Sequence, residues 1–590
     1  MRDPKDRSIL ARLLILLMAL GLVAAACGGD DEDTESAGEE TEAEAGSESE
    51  GDDPEATEEE TEEAAEGGTV TYASDQEPAG WNSLTASENL AALTWLTVEV
   101  YPSVWDVQPD FSITLNEEMM ESAELTSEDP QVIEYVIKEE AVWSDDTPIS
   151  ADDFVYIWEM SNGSNPEIDI ASTTGYELID TVEGSEDGKT VTVTFAEPFS
   201  DWQSLFGPLL PAHIIPTLDP DPVLAFNDGL DGENLPEFSG GPWMLSDYVP
   251  EQSVTLVPNE AYYGEPAKLD SIVARFGITA DAIPAALENG EIDLAYPQPQ
   301  VDLVSQIDAL APEVESQTSF GLTFEHIDFN LQNTLLADVE VRKAIALGLD
   351  RQGIVERTIG QFSDEASQLD NRIWLTNQPQ YEAHGEEYAT QDIEAAKAAL
   401  EGAGYTEGSD GIYEKDGQKL SFRISTTGGN ALREATEQVI QSQLKEVGID
   451  IVIDNSEGAA VFDRFFPESN ARADQDFDIA LFAWVGTPFP SSSKALYIQE
   501  DDGGVGQNTM GYDNPEIAPL FDEAAVSTDQ DLVAENLNQV DEILWEDLPS
   551  IPLYQKPTYL PFRSSIQGVE DNPGTSGPLW NASDWTLAAG

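Results

Sequence analysis

The chain is short of thiols, imidazoles and positive charge. A single cysteine, Cys27, occurs in 590 residues, so no intrachain disulfide can form and packing must carry stability. The three histidines, His213, His326 and His384, lie far apart in sequence. That argues against a His- or Cys-built metal centre and leaves few bases that titrate near neutral pH. Lys and Arg total 24 against 117 Asp and Glu, a formal net charge of −93. A phosphate-binding surface needs clustered basic side chains, so a nucleic-acid partner is excluded, and an anionic lipid surface would repel the chain. No G-x-S-x-G, Walker loop or H-E-x-x-H occurs, so no hydrolase or nucleotide-dependent signature is present. Outside Leu13–Ala26 there is no long apolar run.

What is present begins at the N-terminus. Arg2, Lys5, Arg7 and Arg12 precede that apolar run, which is shorter than the ~20 residues of a spanning helix and reads as a secretory signal over 1–26. Val23-Ala24-Ala25-Ala26-Cys27 resembles a bacterial lipobox, with Ala24 where Leu is usual. The resemblance implies lipid attachment at Cys27. Residues 30–66 hold 20 acids among 37 residues and no base, which predicts an extended, self-repelling tether over 27–67. Taking those 20 charges from −93 leaves about −73 on the remainder. A saline habitat would suit such a surface, because salt screens self-repulsion.

Phe324–Val355 is the most informative stretch. His326, Asp328 and Asn330 alternate with Ile327 and Phe329, the period of a half-buried strand, and Asp338 is placed to cap a helix with Val341, Ala344, Ile345 and Gly348 on one face. Earlier, Gly68–Ala73 predicts a strand, Leu90–Val104 has helical spacing, and Lys189–Phe195 alternates as a strand. Trp143–Phe154 predicts a tight turn at Asp146, then a helix capped by Ser150 with Asp153 as the reciprocal acid. Later, Ile393–Leu400 and Ala431–Val447 predict helices, the second stopped by Gly448, and Leu420–Ser425 and Ile449–Ile453 predict strands. Strand, helix and strand in repetition argue α/β layering.

Taken in order, several of these segments resemble the extracytoplasmic solute-binding proteins of the dipeptide/oligopeptide/nickel class, family 5. The residues are Trp143-Ser144-Asp145-Asp146-Thr147-Pro148, Leu210-Pro211-Ala212-His213, Gly240-Gly241-Pro242, Tyr262-Tyr263-Gly264 and Gly290-Glu291-Ile292-Asp293. They continue with Phe329-Asn330, Val341-Arg342-Lys343-Ala344, Asp350-Arg351 and Ala403-Gly404-Tyr405. Asp146 stands where the family has Gly. The resemblance runs from about Gly68 to Gly590. It implies a two-lobed periplasmic-binding-protein-like α/β fold of type II, the large class with an extra subdomain in lobe I, with mixed sheets joined by a hinge. Lobe I is expected over 68–324 with an inserted subdomain at about 100–185, lobe II over 325–544, and a return to lobe I over 545–590.

The resemblance further implies an ABC importer subunit on the outer face of the cell membrane, not an enzyme. It would be a monomer without cofactor or metal, handing a small solute to permease and ATPase subunits. In peptide-binding members a strand ending in Trp-x-x-Asp pairs with the peptide backbone, and its Asp pairs with the ammonium. Here Ala483, Trp484 and Val485 occupy that strand and Thr487 the Asp position, so the ligand is a peptide or another polar solute such as an oligosaccharide. Asn330, Trp81, Asn82 and Tyr554 are further expected ligand contacts. A secreted hydrolase using two carboxylates is the alternative from another class.

Overall fold

The computed structural model describes residues 64–588 apart from Glu66, Asp75, Glu233, Gly458, Ala459, Glu468 and 500–502. The signal, Cys27 and almost all of the acidic tether lie outside the described residues.

Ten strands form one mixed sheet: β1 Thr69–Ser74, β2 Trp243–Val249, β3 Ser253–Pro258, β4 Ser271–Phe276, β5 Leu294–Ala295, β6 Val314–Phe329, β7 Ser421–Ser425, β8 Asp450–Ile453, β9 Ile479–Val485 and β10 Ser550–Arg563. Across the sheet the order is β8-β7-β9-β6-β10-β5-β1-β4-β3-β2. Two separate apolar cores flank it. One gathers residues from Val70 to Leu294 with Leu560 to Trp585, and the other residues from Ile327 to Tyr554. We call the bodies around them the first and second lobes. The antiparallel pair β6–β10 runs from one to the other. Its register shifts between Phe320 and Phe324, where the Gln555 amide donates to the Gly321 carbonyl at 3.0 Å and the Asn377 amide donates to the Phe320 carbonyl.

Local chemistry accounts for the elements. The helix α1, Ala151–Ser161, starts in a capping box. The Ser150 N–H donates to Asp153 at 2.9 Å, and the same buried carboxylate accepts from the Ala212 N–H and the Trp143 indole. Asp146 adopts φ +67°, the left-handed turn that Asp tolerates better than most residues. α1 lies on an antiparallel four-stranded sheet ordered Met120–Glu128, Gln131–Ile137, Thr190–Phe195, Ile179–Gly184. In the second lobe, α2 (Val339–Gly348) is capped by Asp338, and α3 (Ala431–Val447) is capped by Asn430 and ended by Gly448 at φ +93°. Two further helices, α4 (Ile517–Val526) and α5 (Gln530–Asp547), form a third core with Trp374 and Tyr497.

Two expectations are corrected. The helical spacing of Leu90–Val104 yields a helix only over Ala91–Thr97. Beyond it the carbonyls of Glu99 and Val100 accept from Trp243 and from Gly240 and Gly241, and Pro102 disfavours helix at the residue before it. The alternation of His326, Asp328 and Asn330 does not mark a half-buried strand, because β6 is central in the sheet and both its faces are covered. The polar face is covered by other polar and aromatic groups: Thr509 donates to Asp328, and the Phe482 ring stands 4.4 Å from His326.

Candidate functional site: the cavity between the lobes

β9 meets β7 only at Ile479 and Ala480, while its other edge pairs with β6 along its whole length. From Leu481 to Val485, therefore, β9 has a strand neighbour on one side only, where β7 has already ended at Ser425. At the tip, Gly486 approaches the Leu322 carbonyl so closely that a Cβ would sit 2.7 Å from it. The Thr487 hydroxyl then accepts from the Phe489 N–H at 2.8 Å, folding the loop into a turn. Phe489 reaches a cavity of about 610 Å³ whose remaining walls come from the first lobe. The lobes also touch away from the crossing strands: the Ser200 N–H donates to the Ala525 carbonyl at the end of α4, at 2.9 Å.

The cavity wall is acidic and aromatic. Glu99, Asp106, Glu118, Glu265 and Asp584 line it, with no Lys, Arg or His among its described lining residues. Trp105, Tyr262, Tyr263 and Trp580 line it as well. Glu99 accepts from the Ser583 N–H at 2.9 Å and hydroxyl at 2.6 Å, and burial lifts its carboxyl to about 8, so it is largely protonated at neutral pH. Asp584 is held by the Lys268 ammonium at 2.8 Å. Asp106, on the short strand Trp105–Val107, is open to the cavity but hemmed in by protein, and that burial lifts it to about 6.

The residues expected at the site are distributed as follows. Trp484 is half-buried, stacked on His326 at 6.0 Å and 11°, with its edge toward Phe482 at 5.0 Å. Ala483 and Val485 flank it on β9, opposite Glu325 and Thr323 of β6, and Thr487 is exposed. Four expectations are corrected, because the side chains are buried and serve the scaffold. Trp81 is fully buried, donates from its indole to the Gly232 carbonyl at 2.9 Å and meets Tyr248 edge-on. Asn82 ties Phe226 to Leu84, and only its successors Ser83 and Leu84 reach the cavity. Asn330 donates to the Phe477 carbonyl and accepts from Gln332. Tyr554 is buried in the second core. The sequence alone does not single out Asp106, Glu118 or Phe489, and it marks Tyr262 and Tyr263 only as part of the family resemblance. The adjacency of Trp105 and Asp106 was the only local signal.

Behind β9, Glu325 of β6 and Arg433 of α3 form a buried ion pair at 3.0 Å, with Lys556 of β10 at 3.6 Å. Burial acts to raise the Glu325 carboxyl, but the charges of Arg433 and Lys556 outweigh it and hold the group below its ordinary value.

Comparisons with known proteins fit this geometry. The family model "Bacterial extracellular solute-binding proteins, family 5 Middle" matches residues 114–506. The oligopeptide-binding protein OppA of Mycobacterium tuberculosis is 31% identical over 507 residues, covering 85% of this chain and 82% of the relative. Among solved structures, the periplasmic EDTA-binding protein EppA superposes with a TM-score of 0.80 at 32% identity, covering 89% of this chain and 97% of its own. The oligopeptide-binding protein AppA of Bacillus subtilis, solved with a nonapeptide, shares the fold at a TM-score of 0.67 and 22% identity, covering 89% of this chain and 100% of its own.

Proposed function

The chain belongs to family 5 of the bacterial extracellular solute-binding proteins, and from that membership we propose that it captures oligopeptides between its lobes for an ABC importer. The observation that carries the peptide reading is the open edge of β9. The Leu481 carbonyl is taken by the Thr426 hydroxyl at 2.7 Å, but from Phe482 to Val485 that side of the strand has no strand neighbour, and an extended peptide can add there as a further strand, giving main-chain hydrogen bonds that are indifferent to side chains. Trp484 offers a half-buried aromatic surface beside that edge, and the cavity provides room for side chains.

The mechanism is hinge closure on a wet cleft. β6 and β10 are the strands that cross between lobe I (68–324 with the chain after Tyr554) and lobe II (325–554). The return expected from 545 starts later because Trp545, Leu548, Ile551, Leu553 and Tyr554 pack in the second core, and the irregular pairing at Phe320–Phe324 is the point that can flex. The closed form then docks on the permease, and ATP hydrolysis by a separate subunit drives release. The protein works as a monomer tethered by lipid at Cys27, which keeps it near its permease while the acidic segment sets its reach.

A metal-chelate ligand is the second reading, raised by the EDTA-binding relative. The cavity's carboxylates oppose a polyanion, which would add like charge to an already negative wall. Mass spectrometry of solutes released from the purified protein tests the proposal. Peptides of mixed sequence are expected, and recovery of a single non-peptide solute would overturn the reading.

A further inference from the structure

The remaining question is which group of the protein holds the ligand's positive charge; the answer rests on reading the cavity as the solute site. Thr487 stands where the resemblance expects an acid, and its hydroxyl is engaged by Phe489. A neutral hydroxyl supplies no countercharge to a desolvated cation.

The opposite wall does. Asp106 and Glu118 line the cavity, and neither carboxylate has a hydrogen-bond or ion-pair partner among the described residues. Tyr262 and Tyr263 line the same wall with ring centroids 4.8 Å apart at 45°. Glu118 and Tyr262 close on the same point, since a Cβ at Gly264 would lie 2.5 Å from the Glu118 carboxylate and 2.8 Å from the Tyr262 ring, and Asp106 lines the same cavity. Carboxylates beside aromatic faces are the chemistry that recognises ammonium and guanidinium groups: the rings attract the cation through their quadrupoles and the carboxylates through charged hydrogen bonds. Two of the other three acids are less free, since Glu99 is occupied by Ser583 and Asp584 by Lys268.

We propose that Asp106, Glu118, Tyr262 and Tyr263 form the subsite for the ligand's cationic group, an ammonium or guanidinium, so that the countercharge sits on the first lobe and not at the end of β9. The solute class is thereby narrowed to peptides that carry a free N-terminus or a Lys or Arg side chain in reach of this wall.

Isothermal titration with alanine tetrapeptide amides tests this. The probes are the free-amine peptide, its N-acetyl form, and N-acetyl forms with one Lys or one Arg. The N-acetyl all-alanine peptide is expected to bind about tenfold more weakly than at least one cationic form, a difference of about 1.4 kcal/mol. If only the free amine gains, the N-terminus is the source of the charge; if only the Lys and Arg forms gain, the side chain is. Asp106→Asn and Glu118→Gln should each shrink that gain by more than they change the neutral peptide's affinity, with a cooperative thermal transition showing that each variant is folded. The two substitutions sit on different segments, so one remains informative if the other fails to fold. A neutral peptide that binds as tightly as the charged ones, or variants that weaken neutral and charged peptides alike, would overturn the proposal. Spermidine separates this inference from the peptide reading. If no peptide binds but spermidine does, and Asp106→Asn abolishes it, the cationic subsite stands and the peptide reading falls. If neither binds, both fall.

Discussion

Glu99 is a carboxyl placed where it is more comfortable protonated. Burial lifts it to about 8, and Glu88 and Glu437 to about 7, all above the ordinary 4.5. A carboxyl raised on folding binds its proton more tightly in the native state, so its contribution is fully present below about 4.5 and is lost as pH rises through 7 to 8. The thermal midpoint should therefore fall as pH rises from about 4.5 to about 8, and Glu99→Gln should flatten part of that slope. A variant with the wild-type slope would remove Glu99 from the account. Trp484 makes a different prediction. One of its faces is covered by His326, so Trp484→Ala should cost about 1 kcal/mol of stability through the lost ring contacts while weakening peptide binding more strongly. Equal peptide affinity in calorimetry would take Trp484 out of the site. At this scale the sequence was least informative. Trp81, Asn82, Asn330 and Tyr554 have the right chemistry for ligand contact, yet each is buried with its polar atoms serving the scaffold. Nothing in a residue's type tells whether its polar end faces a cleft or a neighbouring carbonyl.

Elements were far more legible, because capping and periodicity are local. The Ser150–Asp153 box, the Asp338 cap and the Gly448 stop follow from hydrogen bonds a few residues apart, and all three occur. Ser150→Ala should cost about 1 kcal/mol, as a lost N-cap usually does. Asp153→Ala should cost more, since the same carboxylate also takes the Ala212 N–H and the Trp143 indole and would leave buried donors unpaired. Denaturant midpoints for the pair order the two; a milder Asp153 variant would contradict the argument. Arg433→Met tests the tie between α3 and β6. Removing one partner of a buried pair costs about 3–5 kcal/mol, though Lys556 at 3.6 Å should hold the loss near the lower end. Where elements were misread, the cause was distant in sequence. The Leu90–Val104 helix stops because the 240–243 segment claims its carbonyls, and the polar face of β6 is buried because Thr509, 181 residues away in sequence, closes over Asp328.

The whole molecule carries its charge as a single sign, and this sets how its lobes behave. About −73 remains after the tether is set aside, so both lobes repel themselves and each other across a cleft that is itself lined by carboxylates. Two things can relieve that repulsion: salt, which acts everywhere, and a cationic ligand, which acts in the cleft. The Debye length falls from ~10 Å at about 0.1 M to ~3 Å at about 1 M, comparable with the spacing of neighbouring charges, so most of the gain should come within that interval. Raising potassium chloride over that range should raise the thermal midpoint of the ligand-free protein. It should also shorten its radius of gyration in X-ray scattering, because the Ser200–Ala525 contact is then opposed by less repulsion. Added peptide should give the same compaction at low salt and little more at high salt. Chloride is the right anion for the test, since sulfate stabilises folded states by exclusion whatever their charge. A midpoint and a radius that both ignore chloride would mean that the lobes are held by packing alone, and that the acidity serves solubility and not the opening of the cleft.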